Sequence, residues 1–305
     1  MRKIIMLAVV SGLVAFAVTA SAEESGGQTH FKSPTAAMQA LVAAARTGDR
    51  PKMLAILGPE GEPLVESGDD VEDAAERRRF VAMASQRTQF ETLSDGTVIA
   101  HLGRDATPLA IPLVKDGDAW RFDTVAGKDE LLNRRIGRNE LSTIAALRAY
   151  VEAQLQYARH DPGTVFAQKI RSEPGKRDGL YWEDTGGAGE SPLGPLFADA
   201  AGEGYALNDP SAKPEPFHGY FFRILTAQGA NAPGGAQDYV KDGKMTGGFA
   251  FLAYPAEYNS SGVMTFIVGP QGIVYQKNLG DKTAEVAKAM AAFDPDESWT
   301  PVRAD

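Results

Sequence analysis

The segment LLNRRIGRNEL, residues 131–141, places three guanidinium groups within five positions of a chain whose formal net charge is −9. Arg134, Arg135 and Arg138 belong to the residue type that binds carboxylates and phosphates through paired, charge-assisted hydrogen bonds. One interpretation of this spacing is therefore a site for an external anion.

The other interpretation places the partners of these arginines inside the protein. Asn139 can cap the helix that follows, and cations at the start of a helix oppose its dipole unless something offsets them. The offset could come from carbonyl groups that end a preceding helix at Gly137, or from Asp129, Glu130 and Glu140. We favour these internal partners, which would make the segment a hinge or clamp between two domains, and keep the anion site as the alternative.

A second group of charged and aromatic residues lies in the segment PGKRDGLYWED, residues 174–184. In a ligand site, an aromatic face can stack on a sugar while charged neighbours bind its polar groups. In a structural loop, the rings would dock on a sheet and the charged groups would stay in solvent. The structural interpretation is favoured, and the candidate ligand-binding residues here are Lys176, Arg177, Asp178, Tyr181 and Trp182.

Other chemistries have little support in the sequence. His30, His101, His160 and His218 are far apart and have no acid at metal-ligand spacing, so neither a metal site nor a cofactor is predicted. His218 is kept as a candidate ligand-binding residue because it precedes the aromatic segment GYFFR. Nucleophile-elbow, phosphate-loop and zinc-helix motifs do not occur, and the lack of cysteine removes thiol catalysis. No catalytic residue is therefore predicted.

Residues 1–22 have the pattern of a secretory signal peptide. The basic start MRK precedes an apolar run of about 15 residues and the small-residue motif ASA. That run is shorter than the roughly 20 residues that span a bilayer. We expect cleavage after Ala22, a mature chain that starts at Glu23 without an integral membrane segment, and a periplasmic or secreted location.

The charge of the mature chain argues against nucleic-acid binding. Removal of residues 1–22 takes away Arg2 and Lys3 and no acid, so 29 basic residues face 40 acidic ones, a net charge of −11. Such a surface is repelled by nucleic acid and by anionic lipid. The expected partner is an envelope protein, a small molecule or a glycan.

Helices precede short strands in the predicted N-terminal domain, residues 23–126. The segment FKSPTAAMQALVAAARTGD begins with Ser33 as N-cap and places Met38, Leu41 and Ala45 on one face. Two more helices are predicted in RPKMLAILGPEG and DDVEDAAERRRFVAMASQ, and the runs from QFETLS to AWRFDT predict an antiparallel sheet. This order resembles nuclear-transport-factor-2-like and cystatin-like domains.

A long helix, an irregular insertion and a second sheet are predicted in residues 127–305. The helix begins at Asn139 and should end near Pro162 and Gly163, and the Gly/Pro-rich insertion covers residues 172–217. Four runs, GYFFRILTAQ, GGFAFLAYP, GVMTFIVGP and GIVYQKNL, predict a four-stranded antiparallel sheet, followed by a helix in KTAEVAKAMAAF. This part resembles the globular part of type IV pilin-like proteins.

The whole chain from Phe31 to Val302 is similar to a bacterial secreted family known as domain of unknown function 2950. The similarity lies in FKSPTAAMQALVAAARTGD, FDTVAGKDELLNRRIGRNEL, PGKRDGLYW, HGYFFRILTAQG and AEYNSSGVMTFIV. The resemblance implies no established activity and no catalytic residues.

Together these features predict a two-domain α+β protein that acts through binding or interaction in the cell envelope. The alternative is a hydrolase-like enzyme with a site between the domains, built from residues such as Arg135, Arg138, Asp178 and His218. An enzyme should gather these groups around one pocket with shifted pKa values, whereas a binding module should spread them among internal ion pairs.

Overall fold

A computed structural model describes residues 27–159, 164–183, 189–205 and 215–303 of the chain. The predicted signal peptide and His160 lie outside these ranges, as do Pro162 and Gly163, where the long helix is predicted to end. The described chain has the predicted α+β class, with helices packed on antiparallel sheets. No helix in the described ranges combines the length and the apolar character that a membrane span requires.

The described part of the chain begins with four α-helices, three of which were predicted. They are α1 (Pro34–Thr47), α2 (Arg50–Leu57), the one-turn α3 (Glu62–Val65) and α4 (Asp70–Gln86). The Ser33 side chain caps α1 by accepting a hydrogen bond from the Ala36 amide, and Asp69 caps α4 in the same way with two amides. Gly48 ends α1 in the left-handed region, at φ 68°.

The predicted N-terminal sheet follows α4. Its strands are β1 (Thr88–Thr92), β2 (Val98–Leu102), β3 (Thr107–Pro108), β4 (Leu113–Asp116) and β5 (Ala119–Phe122). They form the antiparallel order β1-β2-β4-β5, and β3 also pairs with β2. The Asp-Gly hairpin joins β4 to β5 as predicted, with Asp116 opposite Ala119. Buried side chains of β2, β4 and β5 form a core with the apolar face of α1.

A single helix, α5 (Thr124–Arg159), crosses from this sheet to the rest of the chain. The predicted break at Gly137 and the predicted N-cap at Asn139 are wrong, because the helix continues through both residues. Gly137 is exposed with open space around it, so a helix tolerates it at a cost of about 1 kcal/mol relative to alanine. Contacts on either side of this residue hold the helix together and offset that cost.

The remaining elements build the C-terminal half. One helix, α6 (Gly194–Glu203), lies in the insertion that was predicted to have little regular structure. The strands and the last helix are β6 (Tyr220–Leu225), β7 (Ala227–Gln228), β8 (Gln237–Asp238), β9 (Val240–Lys241), β10 (Lys244–Met245), β11 (Ala250–Pro255), β12 (Met264–Val268), β13 (Val274–Asn278), α7 (Thr283–Ala289), β14 (Ala292–Phe293) and β15 (Thr300–Pro301).

The predicted four-stranded antiparallel sheet is confirmed in the order β6-β11-β12-β13, and β15 adds a fifth strand beside β13. All six residues of β11 are buried, which requires cover on both faces. On one face Tyr150 of α5 stacks on Phe251, with ring centroids 4.0 Å apart. On the other face Arg223, paired with Leu252 across the strands, donates to the carbonyl of Ala287 in α7. The sheet therefore lies between α5 and α7.

Two neighbouring residues of α5 bind the backbone at the start of β12, an inner strand of this sheet. Asn139 donates from Nδ2 to the Ser261 carbonyl at 2.9 Å. Glu140 accepts the backbone N–H groups of Val263 and Met264 at 3.1 and 2.9 Å. These bonds fix the helix against the loop that leads into β12.

We expect Asn139→Ala to lower the free energy of unfolding by about 1 to 3 kcal/mol, because the Ser261 carbonyl would lose its buried donor. Leu141→Ala is the matched control: Leu141 is on the same turn but 65% exposed, so its loss should change stability by less than about 0.5 kcal/mol. Urea denaturation of both variants measures the difference. Equal effects would show that the Asn139 bond does not hold the helix.

Candidate ligand cavity

A cavity of 710 Å³ lies in the N-terminal half between α1, α2, α4, the segment 107–111 and α5. Its volume is in the range of pockets that hold small organic molecules, roughly 300 to 1,000 Å³. Most of the lining is apolar, formed by Leu41, Met53, Leu57, Leu64, Val65, Phe80, Met83, Leu102, Leu109, Ile111 and Leu131.

The cavity lies beside α4, which packs only part of its apolar surface against the core. In α1 five apolar residues are buried, but in α4 the only buried residue is Asp73. Phe80 and Met83 of α4 line the cavity and remain partly exposed. The apolar side of α4 therefore packs partly against the core and partly faces a space that the described residues do not fill.

The charged residues of the lining are mostly basic. Two acids outside the lining, Glu72 and Glu130, pair with Arg79 and Arg134, and the lining itself holds five arginines and two acids. The charged lining residues are Arg77, Arg79, Arg134, Arg135, Arg138, Asp73 and Glu76.

Arg135 is the most deeply buried of the basic residues, with 4% of its side chain exposed. Its Nη1 donates to the Pro63 carbonyl at 2.6 Å, and its Nη2 donates to the Leu64 carbonyl at 2.8 Å. Nη2 and Nε also donate to Oε2 of Glu76, at 2.9 and 3.1 Å. A buried charge needs such compensation, and here α5 obtains it from α3 and α4.

The three arginines of the opening segment thus have partners within the protein. Arg138 also pairs with Glu76, and Arg134 pairs with Glu130 at 2.7 Å. Glu130 is one of the predicted acids. Glu76, which holds the other two arginines, lies 59 residues earlier than Arg135 and was not predicted, because only the packing of α4 against α5 brings it close.

Asp73 and Arg77 are the polar residues of the cavity that the chain leaves incompletely paired. Asp73 is 2% exposed at its side chain; its Oδ2 accepts the Ser67 amide at 3.0 Å and lies 3.9 Å from Nη2 of Arg50, while its Oδ1 is buried without a hydrogen-bond partner. Burial raises the pKa of the Asp73 carboxyl above its ordinary value. Nη1 of Arg77 is also buried without a hydrogen-bond partner in the described chain.

A smaller polar cleft of 370 Å³ lies beside the cavity, where α4, α5, α6 and the start of β6 meet. His218 lies there at φ 49°, with its Nε2 3.2 Å from Glu203 and its Nδ1 4.0 Å from Glu72. Its backbone N–H donates to the hydroxyl of Tyr205. Arg79 and Arg138 line both the cleft and the cavity, so the two spaces adjoin.

Of the residues in the enzymatic alternative, the structure brings Arg138 and His218 into this cleft. Arg135 lies in the wall of the apolar cavity, paired with Glu76. Asp178 is elsewhere, paired with Lys169 at 2.8 Å. The four residues therefore do not surround one space.

The loop that carries the other candidates lines neither space. Tyr181 stacks on Phe197 with centroids 4.0 Å apart, and Trp182 donates to the Gly189 carbonyl. Arg177 lies over the Trp182 ring at 5.7 Å, and Lys176 pairs with Glu173. These contacts give each side chain a partner within the loop or the neighbouring helix.

Two other histidines lie on the N-terminal sheet. His30 contacts Asp116 at 2.8 Å, and His101 contacts Glu91 at 2.9 Å. No group of three or more metal-ligating side chains occurs in the part of the chain that the structure describes.

The sequence contained a signal for the cavity residues of α4 that the helix prediction did not use. Asp73, Arg77 and Phe80 follow the i, i+4, i+7 spacing of one helix face. On this face two charged residues precede an apolar one. Such a pattern indicates that the ionisable side chains are directed toward the protein. It does not indicate whether a core or a cavity lies beneath them.

Comparison with known proteins adds a family and no function. The family described as "Protein of unknown function (DUF2950)" matches residues 28–302, nearly the whole chain. None of the curated proteins and none of the solved structures matches it. The likenesses to pilin-like and nuclear-transport-factor-2-like domains are not confirmed and stay predictions.

We expect Glu76→Ala to lower the free energy of unfolding by about 3 to 5 kcal/mol, because the buried Arg135 charge would lose its carboxylate. Glu130→Ala, which removes the exposed partner of Arg134, should cost about 0.5 kcal/mol or less. Chemical denaturation of both variants tests the contrast. A small effect at Glu76 would mean that the carbonyls of Pro63 and Leu64 suffice for Arg135.

Proposed function

We propose that this chain, which belongs to the DUF2950 family of proteins of unknown function, is a binding protein whose N-terminal cavity holds an apolar small molecule. The observation that carries the proposal is the apolar space beneath α4, which residues 27–159 and the other described ranges leave unfilled. An apolar ligand would bury the lining side chains, each square ångström removed from water contributing about 25 cal/mol.

The position of α4 supports access to this space. Its apolar residues Phe80, Val81 and Met83 are partly exposed, and Ala82, which lines the cavity, is exposed. The adjoining strand β1 is exposed over four of its five residues. A ligand can therefore reach the cavity past α4 with little disruption of buried packing.

The hydrolase alternative finds less support in the polar cleft. Each ring nitrogen of His218 has a carboxylate as its neighbour, and no hydrogen bond joins the ring to Ser142, the serine that lines the cleft. A nucleophile and its base are expected within hydrogen-bond reach of each other. The binding function therefore accounts for more of the geometry.

The proposal includes export, on the strength of the signal-peptide pattern in residues 1–22. The protein recovered from a periplasmic or culture-medium fraction should begin at Glu23. Its intact mass measures this directly, and a signal-peptidase inhibitor should cause the longer form to accumulate. Recovery of the full-length chain from the cytosol alone would contradict export.

Binding in the cavity is tested with N-phenylnaphthylamine, an uncharged probe whose fluorescence rises in apolar surroundings. The purified chain without residues 1–22 should bind it saturably. Ala82→Trp should weaken binding by about tenfold or more, because an indole at the cavity mouth would replace roughly 60 Å² of probe contact.

Ala43→Trp is the matched control, since Ala43 is an exposed helical alanine of α1 that does not line the cavity. It should bind the probe as the unchanged chain does. If neither the unchanged chain nor the Ala43→Trp variant binds the probe, the cavity is not a binding site. If Ala82→Trp binds as well as both, the probe lies elsewhere.

A further inference from the structure

The unpartnered polar atoms of the cavity lining define the class of molecule that would fit. Asp73 and Arg77 are four residues apart on α4 and so lie one turn apart on the same face. Both line the cavity. An aspartate and an arginine at this spacing commonly form an ion pair, yet these two are not within 4.0 Å of each other, and each has a buried atom without a partner.

The guanidinium of Arg77 is the most clearly unsatisfied hydrogen-bond donor of the lining. It makes no hydrogen bond or ion pair with any described residue, whereas Arg79, Arg134, Arg135 and Arg138 in the same lining each have a carboxylate partner. A buried N–H group without an acceptor costs about 1 to 3 kcal/mol, and more when the group is charged. An external acceptor would remove that cost.

The charges of the lining side chains indicate the charge that this acceptor should carry. Carboxylates pair with four of the five arginines of the lining, so Arg77 is the cation among the described lining residues that lacks a carboxylate partner. An anion is therefore favoured at the Arg77 end, while the remaining walls are apolar. The matching molecule has one anionic end and a hydrocarbon body.

Asp73 limits which anionic head group can bind beside Arg77. Its Oδ1 is buried and unpartnered, and an ionised carboxylate there would repel an anion. Because burial raises its pKa, Asp73 more readily holds a proton than an exposed aspartate does. A protonated Asp73 would donate a hydrogen bond to a neighbouring carboxylate oxygen.

We infer that the cavity binds a carboxylate-headed amphiphile of the fatty-acid class, with its head group on Arg77 and Asp73 and its chain along the apolar wall. This inference rests on the proposed function, since it assigns the ligand class of the same cavity. The carboxylate would accept from the guanidinium of Arg77 and from the Asp73 carboxyl. Phe80 and Met83, on the next turns of α4, would contact the chain.

The test compares decanoate with decanol as competitors of N-phenylnaphthylamine. On the unchanged protein, decanoate should displace the probe at least about tenfold more effectively than decanol, the range that one charge-assisted hydrogen bond gives. Arg77→Met should abolish this preference and leave decanol unaffected. Arg78→Met is the control, because Arg78 is the adjacent arginine, exposed and outside the cavity lining.

Asp73→Asn tests the second contact. Asparagine can still accept the Ser67 amide and supplies an uncharged N–H donor, so decanoate affinity should stay within about threefold of the unchanged protein or increase. A loss of tenfold or more would show that a negative Asp73 is needed and would overturn its role as donor. The thermal transition of each variant, measured without ligand, confirms that it is folded.

The outcomes separate this inference from the function on which it rests. Probe binding with equal displacement by decanoate and decanol, unchanged in Arg77→Met, keeps the cavity as a binding site and overturns the carboxylate. Absence of probe binding overturns both. Loss of decanoate preference in Arg78→Met as strongly as in Arg77→Met would place the head group in the polar cleft, which Arg78 lines, and overturn the assignment.

Discussion

The buried charge of Arg135 is the constraint on which much of the architecture depends. A guanidinium removed from water is tolerated only where carboxylates and carbonyls surround it, and its partners here are Glu76, Pro63 and Leu64. These belong to α3 and α4, while Arg135 belongs to α5. One side chain thus sets the distance between helices, and α4 is held beside α5 by polar contacts instead of by an apolar interface.

The same stretch of α5 also positions the C-terminal half. Asn139 and Glu140 lie one turn beyond Arg135 and bind the backbone at the entry to β12. Because α5 is one continuous helix that contacts both, the N-terminal cavity and the C-terminal sheet are held relative to each other at this junction. The polar cleft around His218 results from this arrangement, because it lies where α4, α5 and the start of β6 meet.

Polar attachment of α4 explains why a cavity persists beneath it. Apolar surfaces normally close on each other until few voids remain, and α4 does pack Phe80 and Met83 against the core, but it meets α5 through the Glu76 ion pairs. Asp73 and Arg77 then stay buried with unsatisfied atoms, a cost to stability that a ligand could relieve. Stability given up at such positions is a recurring property of binding sites.

Local patterns in the sequence determined most of the elements: the Ser33 cap, the Asp-Gly hairpin and the alternating runs that became β6, β11, β12 and β13 depend on neighbouring residues alone. Gly137 misled the prediction because a glycine lowers helix propensity locally, whereas Arg135 and Asn139 hold that helix through distant partners. Internal partners for the arginines were predicted from helix electrostatics, on the premise of a helix start at Asn139 that the structure does not have. Which acid supplies them, and whether the charged face of α4 covers a core or a cavity, was decided only by the tertiary structure. The physical reason is that Glu76 meets Arg135 across 59 residues of chain, a contact that no local spacing encodes.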